Sequence, residues 1–365
     1  MKERIKQWIR YEQWKRFFER YERVFIPGAL VLGVVVDFVT FRSISIASTF
    51  YILGGHVCLA VSSIVLLSGK ETKRGKIISY ARLIAPLVLQ FSFGALLSAS
   101  LIFYWFSGTF SVSWPLLGIV ALLMTSNEVL RHYYQKTLIQ LGVFAFIIFS
   151  LGTLMLPYAF HSIDQSLFVM AGLFSLLFMT VFVMLLSRWF VSVRKQMPHI
   201  ALVVLLVFAG MNILYFFHLI PPIPLSLREA GVYHSVQHTS AGYLVQTETE
   251  SWFDRWLPGQ TIHVVAGQPV YVFTSIFAPQ KLTTDIFHRW QYFDDVQDKW
   301  MDKDRLSFAL TGGRSDGYRG YSLKTAVQAG TWRVQVETKN GQVLGRIRFE
   351  VISVANSPDL IPEVH

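Results

Sequence analysis

The chain has 365 residues, of which 53% are hydrophobic and only 15% are charged, with a formal net charge of +10. Soluble domains carry about 25% charged residues, so this composition excludes an ordinary soluble protein and indicates a membrane protein. The charge is uneven, because residues 1–227 contain 19 basic and 8 acidic residues, whereas residues 228–365 contain 14 and 15. No basic patch alternates with aromatic residues in a folded segment, so we expect no nucleic-acid partner.

Residues 1–23 form a basic segment that we expect to lie on the cytoplasmic membrane surface. Eight basic residues and four glutamates alternate with aromatic and aliphatic residues at roughly helical spacing. This mixture is typical of a helix at the lipid–water interface, and the alternative is a solvated basic tail. The segment has neither the short apolar core nor the cleavage site of a signal peptide. The single cysteine, Cys58, excludes an intrachain disulfide.

Seven apolar blocks follow between residues 24 and 220. Each is close to the ~20 residues that an α-helix needs to cross the hydrocarbon core. We therefore predict an all-α transmembrane domain of seven helices that contacts membrane lipids. The predicted spans are Val24–Phe41, Ala47–Leu67, Leu83–Phe106, Val112–Leu130, Thr137–Pro157, Leu167–Ser187 and Ile200–Ile220.

The connections between these blocks alternate in charge. Eighteen of the 19 basic residues lie in the N-terminal segment or in residues 70–82, 131–136 and 188–195, and the other connections contain only Arg42. Basic loops stay in the cytoplasm, so this pattern predicts a cytoplasmic N-terminus. Seven crossings then place the C-terminal domain outside the cytoplasmic (inner) membrane of a bacterium, in the periplasm or its equivalent.

Three polar residues within the blocks are candidates for an intramembrane site. Asp37 lies near Arg42, and Glu128 lies three residues before Arg131, so each carboxylate can reach an interface or a cation. His56 is deeper, and a hydrogen bond to a neighbouring helix explains it better than a proton relay, because no carboxylate lies at mid-span. The alternative is a transporter or lipid-modifying enzyme in which all three side chains line a cavity.

Prolines mark the end of the helical region. Pro221, Pro222 and Pro224 cannot continue a helix and favour an extended junction, which we assign to residues 221–230. Short alternating segments separated by Gly, Pro, Asn and Asp then fill residues 231–353, and we expect residues 354–365 to be a flexible tail. Many short strands without a helix predict an antiparallel β-sandwich of the immunoglobulin type. The predicted strands are Tyr243–Gln246, Thr261–Val265, Val270–Phe277, Ile286–Phe293, Leu306–Leu310, Tyr321–Thr325, Trp332–Thr338 and Val343–Val351.

The last two strands form the best-defined hairpin. Asn340-Gly341 is the preferred two-residue type I′ turn, because both positions need a positive φ. That turn sets the register, and the register places apolar side chains on one face of the hairpin. The apolar pairs are Trp332 with Phe349, Val334 with Ile347, and Val336 with Gly345.

The other face of the hairpin carries Arg333 directly opposite Arg348. Like charges at such positions destabilise a sheet unless something intervenes. A nearby aspartate or solvent screening is one explanation. An anionic ligand or an acidic partner is the other.

Several motifs follow one another in the C-terminal region. They are Val272-Phe273-Thr274-Ser275, His288-Arg289-Trp290, Gly312-Gly313-Arg314, Tyr318-Arg319-Gly320-Tyr321-Ser322-Leu323-Lys324, Gly330-Thr331-Trp332-Arg333-Val334 and Gly341-Gln342-Val343-Leu344-Gly345. With these motifs, residues 270–351 resemble the bacterial family called domain of unknown function 2914. The resemblance implies a small envelope-exposed β domain, often attached to membrane helices, and it implies no activity. Two features depart from the family pattern, an insertion at residues 315–317 and a long acidic turn at Asp294–Asp304.

No catalytic, cofactor or metal motif is present. His234 and His238 have a helical metal-ligand spacing, but their segment is not helical in pattern and a third ligand is missing. The acidic turn lacks the order of a calcium loop. Nucleophile elbows, phosphate loops and dinucleotide fingerprints are absent from the sequence as well.

One cluster remains as a candidate binding site, and it combines arginine with aromatic residues. Such side chains suit glycans, peptides or lipid headgroups through stacking and bidentate hydrogen bonds, whereas core packing is the alternative for Trp290 and Tyr321. We therefore expect a non-enzymatic membrane protein whose external β domain binds or positions another envelope component. The candidate residues are His288, Trp290, Arg314, Tyr318, Arg319 and Tyr321.

Overall fold

A computed structural model describes residues 46–69, 76–107, 110–129, 136–240, 242–249, 260–314 and 317–365, together with Val35 and Asp37. The predicted interfacial segment 1–23 and most of the first predicted span therefore lie outside the described residues. Within the description, the chain is a series of long apolar helices followed by a β domain rich in antiparallel strands. This order confirms the predicted class, helices first and strands afterwards.

Six helices are described, where the sequence predicted seven. Five of them are long and apolar enough to cross a membrane, whereas the apolar part of α3, Val112–Asn127, is shorter. The largest shift from the predicted bounds is at α6, which begins nine residues early and contains Pro198. The helices are α1 (Ile46–Ser68), α2 (Lys76–Ser107), α3 (Phe110–Val129), α4 (Thr137–Phe160), α5 (Gln165–Trp189) and α6 (Val191–Phe216).

The described chain divides into two compact units. One comprises residues up to 102, 117–151 and 172–211, and the other comprises 103–116, 152–171 and 212–365. In the first unit, small residues allow helices to approach closely, as is common in membranes. A Cβ on Gly142 would lie 2.7 Å from Val203, and one on Gly172 would lie 2.8 Å from the ring of Phe149. Aromatic rings fill further space between the helices, as where Phe144 stacks on Phe93 and meets Phe178 edge to face.

The second unit contains eleven described strands. They are β1 (Ser226–Tyr233), β2 (Ser235–Thr239), β3 (Gly242–Glu248), β4 (Gln260–Val265), β5 (Val270–Phe277), β6 (Thr283–Asp294), β7 (Lys299–Thr311), β8 (Tyr318–Lys324), β9 (Gly330–Thr338), β10 (Val343–Val354) and β11 (Leu360–Val364). They form sheets in the orders β1-β5-β8, β4-β10-β9-β6-β7 and β11-β3-β2. Every pairing is antiparallel except that of β4 with β10.

The three-stranded sheet β1-β5-β8 and the five-stranded sheet pack together through two clusters of buried apolar residues. Val272 of β5 is fully buried with Trp290 of β6, Trp332 of β9 and Phe349 of β10. The rings of Trp290 and Trp332 meet edge to face with centroids 6.4 Å apart, a favoured geometry for aromatic pairs. Alternate residues of each strand point into this core, so the opposite residues form the outer faces.

Two segments differ from the sequence-based expectation. Residues 226–230, assigned to the proline-rich junction, belong to β1, which pairs with β5. Residues 360–364, expected in a flexible tail, form β11 and pair with β3. The third sheet, which contains β11, covers part of β5 through an aromatic and aliphatic cluster around Phe273. Both strands depend on partners that are distant in sequence, so local pattern did not reveal them.

The β9–β10 hairpin has the predicted register but a different turn. Trp332 pairs with Phe349 and Val334 with Ile347, as predicted. Gly341 has a φ of 77°, but Asn340 is not among the residues with positive φ, so the turn is not type I′. Instead, Thr338 and Gln342 close a three-residue loop by a hydrogen bond of 2.9 Å. An irregularity between residues 343 and 345 then restores the register, because a bulge adds one residue to one strand.

A candidate ligand-binding surface on the β domain

The structure separates the predicted cluster into a buried pair and an outer group. His288 and Trp290 are both 0% exposed and lie in the core of the β domain. Nδ1 of His288 lies 2.8 Å from Oγ of Ser322, and Nε2 lies 3.1 Å from Oγ1 of Thr274. The indole of Trp290 donates to the same Ser322 oxygen at 3.0 Å. These two side chains therefore connect β6 with β5 and β8, and neither has surface available to a ligand.

Burial also determines the charge of His288. Desolvation lowers the pKa of His288 to about 3, so the imidazole is neutral at physiological pH. A neutral ring can donate through one nitrogen and accept through the other, which matches two hydroxyl neighbours. We therefore assign His288 a structural role in a buried hydrogen-bond network.

The other four predicted residues lie on β8 and just before it. Tyr321 is 40% exposed and Arg319 is partly exposed on the same face of β8. Tyr318 is partly buried, because its ring packs against the core cluster that contains Ile276. The guanidinium carbon of Arg314 lies 5.7 Å from the ring centroid of Tyr318. This contact is within the range of a cation–π interaction.

Two tyrosines that the sequence did not single out complete this surface. The ring of Tyr271 on β5 lies 6.0 Å from that of Tyr321, and the ring of Tyr243 on β3 lies 6.4 Å from it. The hydroxyl of Tyr243 donates to the carbonyl of Arg319 at 3.5 Å. The pairing of β5 with β8 brings Tyr271 to Tyr321, and the packing of the third sheet on β5 brings Tyr243 there. We call Tyr243, Tyr271, Arg314, Tyr318, Arg319 and Tyr321 the tyrosine–arginine surface.

The electrostatics of this surface keep Tyr243 neutral. Burial raises the pKa of Tyr243, and the neighbouring Tyr318 and Tyr321 raise it further, whereas Arg314 and Arg319 oppose the shift. The surface offers aromatic faces and hydroxyl groups beside two cations. This combination can stack on a ring or sugar and bind an anionic or carbonyl oxygen.

The two histidines with metal-ligand spacing do not converge. His234 pairs with Glu248, with Nε2 and Oε1 2.8 Å apart, whereas the ring of His238 packs against Tyr243 at 5.0 Å. His263 contacts the other oxygen of Glu248 at 2.6 Å. Among the described residues, no group of His, Cys, Asp and Glu has the arrangement of a metal site.

The acidic turn is shorter than the sequence suggested, and part of its charge is compensated. Residues 299–311 are strand, so Asp302 and Asp304 lie on β7. Asp302 accepts from Arg289 at 2.6 Å, and Asp304 pairs with Lys324. Burial raises the pKa of Asp302, but the hydrogen bonds from Arg289 and Gln291 and the nearby arginines together outweigh it, so that the pKa is lowered. These carboxylates therefore stabilise the sheet.

The intramembrane candidates are described only in part. Asp37 is helical and partly buried. The ring of His56 on α1 packs against that of Phe91 on α2, with centroids 5.4 Å apart. Glu128 lies in α3, but its side chain is outside the description. The convergence of all three in one cavity stays a prediction.

A family model matches the C-terminal part of the chain. Residues 283–351 correspond to a protein of unknown function, DUF2914. The match begins with β6 and ends within β10, so it contains Arg314, Tyr318, Arg319 and Tyr321. The chain therefore carries a DUF2914 domain, as the sequence resemblance predicted, and that description assigns no activity. No curated protein matches the chain.

Solved structures resemble the chain only distantly. An immunoglobulin-like protein from Pseudomonas aeruginosa is 10% identical with a TM-score of 0.21, and the match covers 35% of this chain and 95% of that protein. A β-glucosidase from Listeria innocua is 12% identical with a TM-score of 0.19, over 36% of this chain and 16% of the enzyme. An alkylpurine DNA glycosylase from Pseudomonas fluorescens is 11% identical with a TM-score of 0.22, and the match covers 82% of this chain and 97% of that enzyme. None of these likenesses supports a statement about function.

Proposed function

We propose that this chain is a non-enzymatic envelope protein, anchored in the cytoplasmic membrane of a bacterium, whose external β domain binds another envelope component. The N-terminus lies in the cytoplasm and the β domain lies on the opposite side. The five long apolar helices support the membrane location. The alternation of basic and uncharged connections supports the orientation.

The β domain in this proposal is an immunoglobulin-like sandwich. The core shared by the β1-β5-β8 sheet and the five-stranded sheet supports this, as does the antiparallel pairing of nearly all strands. Sandwiches of this type present their ends and outer faces to partners while the core stays closed. Function therefore depends on what the outer surfaces carry.

The observation that carries the proposal is the tyrosine–arginine surface. Arg319 and Tyr321 of this surface lie on β8, which is at the edge of its sheet and pairs with β5. Within the described part of the chain, no strand pairs with the other side of β8. An edge strand can accept an extended segment of a partner, and adjacent tyrosine and arginine side chains are enriched where proteins bind. We infer a protein, glycan or lipid headgroup as the bound component.

The test is crosslinking in cells that express the full chain, with Arg319→Ala/Tyr321→Ala as the variant. We expect the amount of partner crosslinked to the chain to fall at least fivefold, because the variant removes one cation and one exposed ring. The control is Arg228→Ala/Ile352→Ala, which removes one exposed cation and one exposed apolar side chain elsewhere. Equal capture by the variant and the wild type would contradict the proposed surface.

A further inference from the structure

A second charged surface lies on the outer face of the five-stranded sheet, away from β8. The strand register places side chains in two cross-strand rows over β10, β9, β6 and β7. The first row is Arg348, Arg333, Gln291 and Asp302. The second row is Arg346, Gln335, Arg289 and Arg305.

Two of the five arginines are neutralised within the sheet. Nη2 of Arg289 lies 2.6 Å from Oδ2 of Asp302, and Nε of Arg305 lies 2.8 Å from Oε1 of Glu337. Arg289 also approaches Glu337 at 3.8 Å. These four side chains form a continuous chain of two cations and two carboxylates, so their formal charges cancel.

Arg333, Arg346 and Arg348 have no such partner. The described part of the chain places no carboxylate within ion-pair distance of any of them. Nε of Arg333 donates to the amide oxygen of Gln291 at 2.6 Å, which is a neutral acceptor. Glu350 lies two residues beyond Arg348 on the same exposed face, but it is not paired with it. Three cations therefore share one face, and among the described residues none of them forms an ion pair with a carboxylate.

An aromatic ring holds two of these guanidinium groups in place. The guanidinium carbon of Arg333 lies 4.1 Å from the ring of Trp300, and that of Arg348 lies 5.8 Å from it. Stacking on an indole orders an arginine without using its hydrogen-bond donors. The two groups are therefore preorganised while donors of both are available to a ligand.

The like charges raise the free energy of the ligand-free face. Burial, together with the nearby Arg346, lowers the pKa of Arg333 to about 10, although Asp302 partly opposes the shift. Arg333 remains protonated at pH 7, so its repulsion with its neighbours persists in the folded protein. A bound anion would relieve that repulsion, which is a source of binding free energy.

We propose that Arg333, Arg346 and Arg348, together with Trp300, bind a phosphate group. One carboxylate has two oxygens and a single charge, so it matches one guanidinium fork. A phosphate group offers up to three or four oxygens and a charge of about −1 to −2, which suits three guanidinium groups better. The group comes either from free phosphate or a phosphomonoester, or from the phosphodiester of a lipid headgroup.

The experiment measures binding by titration calorimetry with the purified full chain in an uncharged detergent at constant ionic strength. The probes are inorganic phosphate and glycerophosphoglycerol, the soluble headgroup of an anionic lipid. The variant Arg333→Gln/Arg348→Gln removes two cations, and we expect at least a tenfold loss of affinity. The control Arg228→Gln/Lys281→Gln removes two exposed cations elsewhere on the domain and should bind like the wild type.

The outcomes separate the two sources and the rival partner. Tighter binding of inorganic phosphate would identify the ligand as free phosphate or a phosphomonoester. Tighter binding of glycerophosphoglycerol would identify it as a lipid headgroup. Arg346→Gln, whose side chain is exposed, serves as a second variant should the double variant fail to fold. Absence of saturable binding, or equal binding by the variants, overturns the proposal. If a deca-glutamate peptide binds and neither phosphate probe does, the proposal is also overturned, in favour of an acidic protein partner.

Discussion

His288 illustrates how the same residue type can indicate either chemistry or architecture. Its position between Arg-rich and aromatic motifs suggested a ligand contact. The alternation of strand β6 places it on the inner face with Trp290, where it is fully buried. Two hydroxyl groups, on Thr274 and Ser322, complete its hydrogen bonds. Side-chain direction along a strand, which depends on the register, decides between the two roles.

The buried imidazole predicts a specific dependence of stability on pH. The unfolded chain binds a proton at this ring below about pH 6.5, whereas the folded domain does so only near pH 3. Its contribution to stability is therefore complete above pH 6.5 and is lost as the pH falls from 6.5 towards 3. We expect a loss of up to about 1.4 kcal/mol per pH unit within this window.

Hydrogen exchange of the amides of residues 286–290 in the full chain measures this loss between pH 6.5 and 5. Carboxylates with lowered pKa values, such as Asp302, titrate below that interval. His288→Gln should reduce the dependence of the opening free energy on pH. His238→Gln, at an exposed position on β2, should leave that dependence unchanged. A free energy of opening that does not change over this interval would contradict the assignment.

At the scale of elements, the β9–β10 hairpin shows how much a short sequence can determine. Alternation of Trp332, Val334 and Val336 predicts the buried face, and the register follows because a shift of one residue would expose all of them. The Asn-Gly pair alone predicts a two-residue turn. The loop in the structure has three residues, one more than the predicted turn, and a bulge in β10 compensates for the extra residue. Tertiary packing therefore overrides the local turn preference.

This loop predicts unequal effects of two alanine substitutions. Gly341→Ala should destabilise the β domain by about 1 kcal/mol, because Gly341 adopts a positive φ that alanine disfavours. Asn340→Ala should change stability by less than about 0.5 kcal/mol, as is usual for an exposed side chain. Denaturant unfolding followed by tryptophan fluorescence compares the two variants. Equal destabilisation by both would instead indicate the type I′ turn.

Other elements were predictable only in part. β5 and β6 carry continuous or alternating apolar residues and were identified. β1 contains Arg228, Glu229 and Gly231, which weaken a strand pattern, and it forms because β5 offers a long partner. The tyrosine–arginine surface likewise depends on residues that are distant in sequence. Strand β8 was predicted from its pattern, whereas only the folded β domain brings Tyr243 and Tyr271 next to Tyr321.

At the scale of the whole molecule, composition was the most informative feature. A charged fraction of 15% and repeated apolar blocks predict membrane helices, and five described helices have suitable length and composition. The seven predicted crossings and the position of the β domain outside the membrane remain predictions. They depend on the first span, most of which lies outside the described residues. An even number of crossings would place the two termini on the same side.

The most direct measurement is labelling of single cysteines with a membrane-impermeant maleimide in a Cys58→Ser background. Asn340→Cys places a thiol at an exposed position of the β9–β10 loop, and Lys195→Cys places one in a predicted cytoplasmic connection. In intact spheroplasts, we predict that Asn340→Cys is labelled as fully as after lysis, while Lys195→Cys is labelled only after lysis. Labelling of Asn340→Cys only after lysis would contradict the placement of the β domain outside the cytoplasm.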